Sequence, residues 1–205
     1  MPIGGQWQVE YTTETGEKAS LQSRNVITTV GAYALKAMLP FVKAGDMAPI
    51  SALRYAPIVQ VSVGLSNAHG IEHKAFGGLI PTCEQQQLLG ILFPSACFSQ
   101  RCPAEGALFS FFLGGMKHGE MLGKTNEELR ELVTKALSKM LGFPQDVAPD
   151  MVQIFRHEHA IPQYELSSGA RFAAVKRIEQ THPGLILGGN LRDGIGMADR
   201  IRQAV

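Results

Sequence analysis

The residues best placed to do chemistry come late in the chain. Residues 188–205, GGNLRDGIGMADRIRQAV, follow a short apolar strand, GLIL. Gly188, Gly189, Gly194 and Gly196 let the backbone come close to a ligand. The amides of Gly196 and Met197 would open a closing amphipathic helix, with the positive end of its dipole behind them. That suits a phosphate or another electron-rich group. The same pattern is also a plain tight connection between a strand and a helix. It does not complete the dinucleotide fingerprint GxGxxG, because aspartate stands at position 199. Nor is there room for the βα unit and ribose-binding acid that would follow such a fingerprint.

Three other constellations are weaker. MKHGEMLGKT follows a strand and contains Gly123-Lys124-Thr125. A phosphate loop needs glycine five residues before Gly123, where His118 stands, and Thr125 serves equally as a helix cap. His157 and His159 share one strand face. A zinc site needs a third ligand that no HExxH helix or cysteine pair supplies. No GxSxG elbow is present, and no serine or cysteine has a base evident in sequence. Cys83, Cys97 and Cys102 lack CxxC spacing. They read as buried small hydrophobes in a reducing, cytoplasmic setting.

The composition narrows the classes further. The 205 residues are 45% hydrophobic and 18% charged, with net charge +1. Basic residues are dispersed, so no stripe for nucleic acid or anionic lipid forms. No apolar run approaches the roughly 20 residues of a membrane span. The start, MPIGGQWQVEY, does not read as a signal peptide. A surface this poor in charge points to a missing partner or a missing piece.

The elements that must position these residues follow from periodicity. Residues 6–13 alternate as a half-buried strand with Trp7, Val9 and Tyr11 on one face, and Glu14–Glu17 reads as a hairpin turn. A second strand runs on through NVITTVGA to Gly31. Helical spacing follows in AYALKAML and from Met47 to Tyr55. Ile58–Leu65 alternates, with Val59, Val61, Val63 and Leu65 on one face. AFGGLIP, LLGILFPS and ALFSFFLGG are apolar on both faces and read as strands in the middle of a sheet. Thr125 and Glu128 form a capping box for a helix to Leu141, stopped by Gly142. MVQIFRHEH is another strand. Ser167 or Ser168 caps a helix through Ile178 with Phe172, Val175 and Ile178 inward, before the last strand and helix.

Taken together, AFGGLIP (75–81), LLGILFPS (88–95), FFLGG (111–115), HAIPQY (159–164) and GGNLRDGIGMADRI (188–201) resemble the C-terminal part of the oxygen-dependent protoporphyrinogen oxidases, FAD enzymes of the amine-oxidase-like superfamily. NVITTVGA resembles the strand that returns to the FAD domain in such flavoproteins. The resemblance covers nearly the whole chain but less than half of a full-length member. It implies an α+β fold: a mixed or antiparallel substrate-domain sheet covered by a long helix, plus the C-terminal strand and helix of an FAD-binding domain whose GxGxxG unit is missing. Residues 1–56 would be the returning hairpin and helices of the FAD-binding domain, 57–165 the porphyrinogen-binding domain, and 166–205 the rest of the FAD-binding domain.

The resemblance further implies that Gly189, Gly194, Ile195, Gly196 and Met197 form a second clamp on the flavin, mainly through backbone. Phe76 and Leu79 would match one side of a substrate pocket and Phe112 the other, with Gly77 close to the substrate through its backbone. The pocket fits in kind a flat apolar tetrapyrrole, although plain core packing would explain the same side chains. No catalytic acid or base is demanded, since the cofactor carries the chemistry. Missing from the pattern are the FAD fingerprint, the propionate-binding arginine and the membrane-association segment. The chain alone is therefore expected to be inactive, to lack its N-terminal FAD-binding half, and to expose apolar surface that favours self-association. The full-length protein would be cytoplasmic and peripheral to a membrane. Related flavin oxidases of coproporphyrinogen or of amines, and a non-catalytic tetrapyrrole-binding module, are the competing readings.

Overall fold

The computed structural model describes all 205 residues. In chain order the elements are β1 (Pro2–Ile3), β2 (Gln6–Thr12), β3 (Lys18–Ser23), β4 (Val26–Thr28), α1 (Ala32–Met38), α2 (Ala44–Ser51) and β5 (Tyr55–Leu65). They continue with β6 (Gly77–Leu79), β7 (Leu88–Leu92), α3 (Pro94–Cys97), β8 (Ala107–Gly114) and α4 (Asn126–Leu141). The chain closes with β9 (Met151–Pro162), α5 (Ser168–Thr181), β10 (Leu185–Leu187) and α6 (Met197–Ala204). The result is a mixed α+β protein. It forms two compact units: Met1–Arg54 with Pro162–Val205, and Tyr55–Ile161. No helix is long and apolar enough to cross a membrane.

In the first unit, β1, β2 and β3 make an antiparallel sheet, with Trp7 opposite Ser23 and Tyr11 opposite Ala19. Trp7 is buried against the Phe41 and His182 rings, and its indole N–H donates to the Pro183 carbonyl at 3.1 Å. The strand expected to run on to Gly31 does not. It breaks at Arg24 and Asn25, where Ser23 Oγ donates to the Asn25 carbonyl at 2.8 Å. After the break the chain changes partners. β3 pairs with β2, whereas β4 pairs in parallel with β10, through Val26–Leu185, Ile27–Ile186 and Thr28–Leu187. Thr28, Leu185 and Leu187 are buried on one face of this pair, and Ile27 and Ile186 are exposed on the other.

Helix α5 corrects a second expectation. Its buried stripe is Arg171, Ala174, Val175 and Ile178, at i, i+3, i+4 and i+7. Phe172 is one residue round from that stripe and is 38% exposed. Ser167 stands at the N-cap but makes no side-chain capping bond.

The second unit is a five-stranded sheet in the order β6-β7-β8-β5-β9. Val59, Val61 and Val63 of β5 lie opposite Leu113, Phe111 and Phe109 of β8. Together they form a core closed by Leu129, Val133, Ala136, Leu137 and Leu141 of α4. The capping box is present: Glu128 N donates to Thr125 Oγ1 at 3.2 Å, and Thr125 N to Glu128 Oε2 at 2.8 Å. Gly142, in the left-handed conformation, ends the helix. Lys124, read against a phosphate loop, pairs with Glu128 at 3.2 Å. The AFGGLIP stretch departs from expectation. Its strand β6 is an edge of the sheet, not an interior strand. Phe76 and Leu79 are exposed while Ile80 packs half-buried against the core, so the apolar run does not mark double burial here. The cysteines are also not core residues: all three are free thiols, Cys83 and Cys97 exposed and Cys102 half-buried.

Candidate functional site

Loop 188–196 is held by side chains from four directions within the first unit. Arg200, on α6, donates through Nη1 to the Gly189 carbonyl, and through Nη2 to the carbonyls of Arg192 at 2.9 Å and Gly194 at 2.8 Å. Arg171, on α5, is 2% exposed and donates through Nε to the Leu191 carbonyl at 2.7 Å. Tyr164 reaches in from the segment before α5. Its hydroxyl lies 3.1 Å from the Asn190 carbonyl and 3.0 Å from the Gly194 carbonyl, and accepts from Gly194 N at 3.2 Å. Arg192 is tied to Glu179 at 3.0 Å, and Glu179 accepts from Leu187 N at 2.8 Å.

The five expected flavin-clamp residues are together in this loop, but most of their amides are already engaged. Gly189 N donates to Gln203 Oε1 at 2.9 Å and Gly194 N to Tyr164. Ile195 N and Gly196 N both donate to Asp199 Oδ2, at 3.1 and 3.0 Å. Asp199 thus caps α6 from inside its first turn, where a carboxylate is favoured. Met197 is the first residue of α6, so its N–H has no acceptor within the helix, and the residue is 81% exposed. The loop therefore presents its Met197 end, together with the half-exposed Ile195, to any incoming group. Gly194 is required at its position. Its φ is +102°, and a side chain there would collide with the Asp199 carboxylate.

Electrostatically the loop is backed by cations. Neither Arg171 nor Arg200 has a carboxylate partner; both hold main-chain carbonyls, and Arg171 also lies 4.9 Å from the Tyr164 ring centre and 5.2 Å from that of Phe172. Burial pushes the Tyr164 phenol above its ordinary value. Sequence reasoning assigned no role to Tyr164, Arg171, Asp199 or Arg200. A signal existed for Arg171, the one charged residue at the stripe positions of α5. Tyr164 is distant in sequence, and nothing in its spacing points to the loop.

The expected substrate residues lie in the second unit. Register places Leu79 opposite Gly90, Gly90 opposite Phe112 and Phe112 opposite Gln60, a row across four strands. Gly77, Leu92, Ser110 and Ser62 form the next row on the same face, two residues along. Gly77, Leu79 and Phe112 therefore share the sheet face opposite the core that α4 closes. Leu79 is 89% exposed and its Cδ2 reaches over Gly90, where a Cβ would lie 3.2 Å away. Gly90 lets the β6 backbone and the Leu79 side chain close over it, since a Cβ there would also lie 2.8 Å from the Gly78 carbonyl. Phe76 is not in this row. It lines a separate cavity of about 670 Å³ with His73, Phe93 and Phe109. His157 and His159 lie on β9, where the His159 ring packs edge-on to Tyr55.

Comparison with known proteins gives consistent matches. The profile of the flavin containing amine oxidoreductases matches residues 4–192. The chain is 29% identical over 202 residues to a chloroplastic protoporphyrinogen oxidase of Nicotiana tabacum, covering 94% of this chain and 37% of that protein. It is 25% identical over 203 residues to the protoporphyrinogen oxidase of Homo sapiens, covering 96% and 41%. Among solved structures, a protein from Exiguobacterium sp. 255-15, provisionally assigned as a protoporphyrinogen oxidase, superposes on 100% of the chain and 43% of its own. Its TM-score is 0.78 at 16% identity. Cyclohexylamine oxidase from Brevibacterium oxydans IH-35A covers 86% of the chain and 39% of its own at TM-score 0.61 and 16% identity. The chain thus spans well under half the length of the proteins it matches.

Proposed function

The chain belongs to the flavin containing amine oxidoreductase family, and from that premise we propose that it supplies the porphyrinogen-binding part and second flavin clamp of an FAD-dependent oxidase that converts protoporphyrinogen IX to protoporphyrin IX with O2 as acceptor. The observation that carries this reading is the spread of the likeness: a relative named protoporphyrinogen oxidase aligns along 94% of the chain, not along one motif.

In this reading Met1–Arg54 and Pro162–Val205 belong to the FAD-binding part and Tyr55–Ile161 binds the substrate. FAD, when bound, supplies hydride acceptance. The Met197 N–H and the Ile195 side chain are the groups that the clamp can offer it. Gly189, Gly194 and Gly196 act by shape, letting the loop turn under Arg200 and Tyr164. Leu79 and Phe112 give apolar contact to a flat ring. The exposed Ile27, Ile186, Met197 and Ile201 support a missing N-terminal FAD-binding partner, since parallel strand pairs are ordinarily covered on both faces. The likeness to the solved cyclohexylamine oxidase, at 16% identity, is one of fold. The apolar Leu79–Phe112 row favours a tetrapyrrole over a small amine.

The test is oxidation of protoporphyrinogen and coproporphyrinogen side by side, read as porphyrin fluorescence. Turnover is expected from the protein that joins this chain to a GxGxxG-bearing half, with O2 consumed, and not from the 205-residue chain alone. Stoichiometric FAD binding with turnover by the chain alone would sink the two-part reading. Porphyrin binding that quenches Trp7, with no turnover in any form, would point instead to a binding module. Faster turnover of coproporphyrinogen would move the assignment to that substrate.

A further inference from the structure

We propose that Tyr164 is the positioning residue of the flavin loop, its hydroxyl fixing the Gly194 peptide and so setting the direction in which the Ile195–Met197 backbone faces the cofactor. The inference rests on the reading that this loop holds the flavin.

One oxygen does several jobs here. It accepts from Gly194 N and lies within donating distance of the carbonyls of Gly194 and Asn190. The Gly194 N–H is therefore tied to a side chain 30 residues away in sequence, whose single proton serves either the Gly194 or the Asn190 carbonyl, and Arg200 Nη2 holds the Gly194 carbonyl from the other side at 2.8 Å. A glycine at φ +102° has no side chain of its own to limit its motion, so an external post is what makes its conformation single. Tyr164 is itself well anchored. Gln163 N donates to the Arg54 carbonyl at 2.9 Å, and Arg54 Nε donates to Glu165 Oε1 at 2.9 Å. Its ring is held edge-on to Phe172, with the Arg171 guanidinium over its face. Arg171 in turn holds Leu191. Tyr164 and Arg171 thus brace the loop as a pair, from the segment that carries the chain back from β9. Arg171, Arg200 and Asp193 are the charged groups facing the phenol, and burial, which raises it, outweighs the lowering by the Gly194 hydrogen bond and the two arginines.

Tyr164→Phe removes the hydroxyl and keeps the ring. Loss of about one hydrogen bond's worth of net stabilisation corresponds to about a tenfold change in a local equilibrium. In the 205-residue chain, the Gly194 amide should exchange with solvent about tenfold faster in Tyr164→Phe, with amides of β2 and β3, in the same unit, unchanged in the same spectra as the check on folding. Tyr11→Phe, which removes an exposed hydroxyl of β2 in the same unit, should leave Gly194 exchange near that of the parent. In the flavin-loaded complete protein, the FAD dissociation constant should rise about tenfold in Tyr164→Phe. Unchanged Gly194 exchange overturns the proposal, and so does faster exchange with unaltered FAD affinity. If the parent complete protein takes up no FAD, the flavin reading of the loop fails, and the positioning role falls with it even where Gly194 exchange responds.

Discussion

Arg171 occupies a position where periodicity asks for an apolar side chain. Its charge has no carboxylate to meet it, so burial costs desolvation. The guanidinium recovers that by donating to the Leu191 carbonyl and to Ser168 Oγ, at 2.7 and 3.1 Å, and by lying against two aromatic faces. Arg171→Met would relieve the desolvation but strand the carbonyl of the fully buried Leu191. An unsatisfied buried acceptor costs roughly 1–3 kcal/mol. The second effect should win, with a net loss of about 1–2 kcal/mol in urea unfolding. A variant as stable as the parent would show that the loop does not depend on this cation.

Two exposed carboxylates contribute to stability on the acid side. The Ser66 backbone N–H, then its hydroxyl, holds Asp150 below its ordinary value. The Thr125 N–H does the same for Glu128, with Lys124 assisting. A depressed carboxylate contributes stability that is fully present above its unfolded value and is lost as pH falls through its folded value. Stability should therefore hold down to the ordinary carboxylate range and decline below it. Asp150→Asn and Glu128→Gln should each flatten that acid limb in pH-dependent thermal unfolding. An acid limb of unchanged slope in both would remove these groups from the account.

At the scale of elements, local rules worked where one element could satisfy itself. Helix α4 carries its cap, its stripe and its glycine stop in its own sequence, and it folds as those signals direct. The β2–β3 hairpin is similar, because a short turn fixes its register. Rules failed where the partner was remote. An apolar stretch such as AFGGLIP looks the same whether neighbours cover it or not, and only the strand order made β6 an edge. The exposed side chain there offers a direct test. Leu79→Asp removes little buried area, so stability should change by no more than about 0.5 kcal/mol. Porphyrin affinity, read by quenching of Trp7 or by porphyrin absorbance, should fall severalfold. Unchanged porphyrin binding would take Leu79 out of the substrate site.

The whole molecule leaves apolar side chains uncovered in both units: Ile27, Ile186, Met197 and Ile201 in the first, Phe76 and Leu79 in the second. Scattered exposed hydrophobes are ordinary, but adjacent isoleucines on the bare face of a parallel strand pair are not. In sedimentation velocity the chain should self-associate as its concentration rises. Ile27→Ser with Ile186→Ser should reduce that association without unfolding the protein. A parent that stays monomeric at high concentration would show this face to be harmless in water.

The amino-acid sequence by itself determined the capped helix, the alternation of β5 and the location of the glycine loop. Each depends on contacts within a few residues or on a pattern repeated along one element. Loop 188–196 was legible as a candidate because its glycines and the following helix are contiguous. Only the tertiary structure decided what holds it. Tyr164, Arg171 and Arg200 act on main-chain carbonyls, and a carbonyl is the same group at every residue, so no pattern of residue types records such a bond. Asp199, three residues from Gly196, was within reach of local reasoning, yet its bonds show that the Ile195 and Gly196 amides are already satisfied. The substrate row divides the same way. The residue types of Gly77, Leu79 and Phe112 stood in the sequence, but their shared face depends on register across β6, β7 and β8, and strand register is a property of the assembled sheet.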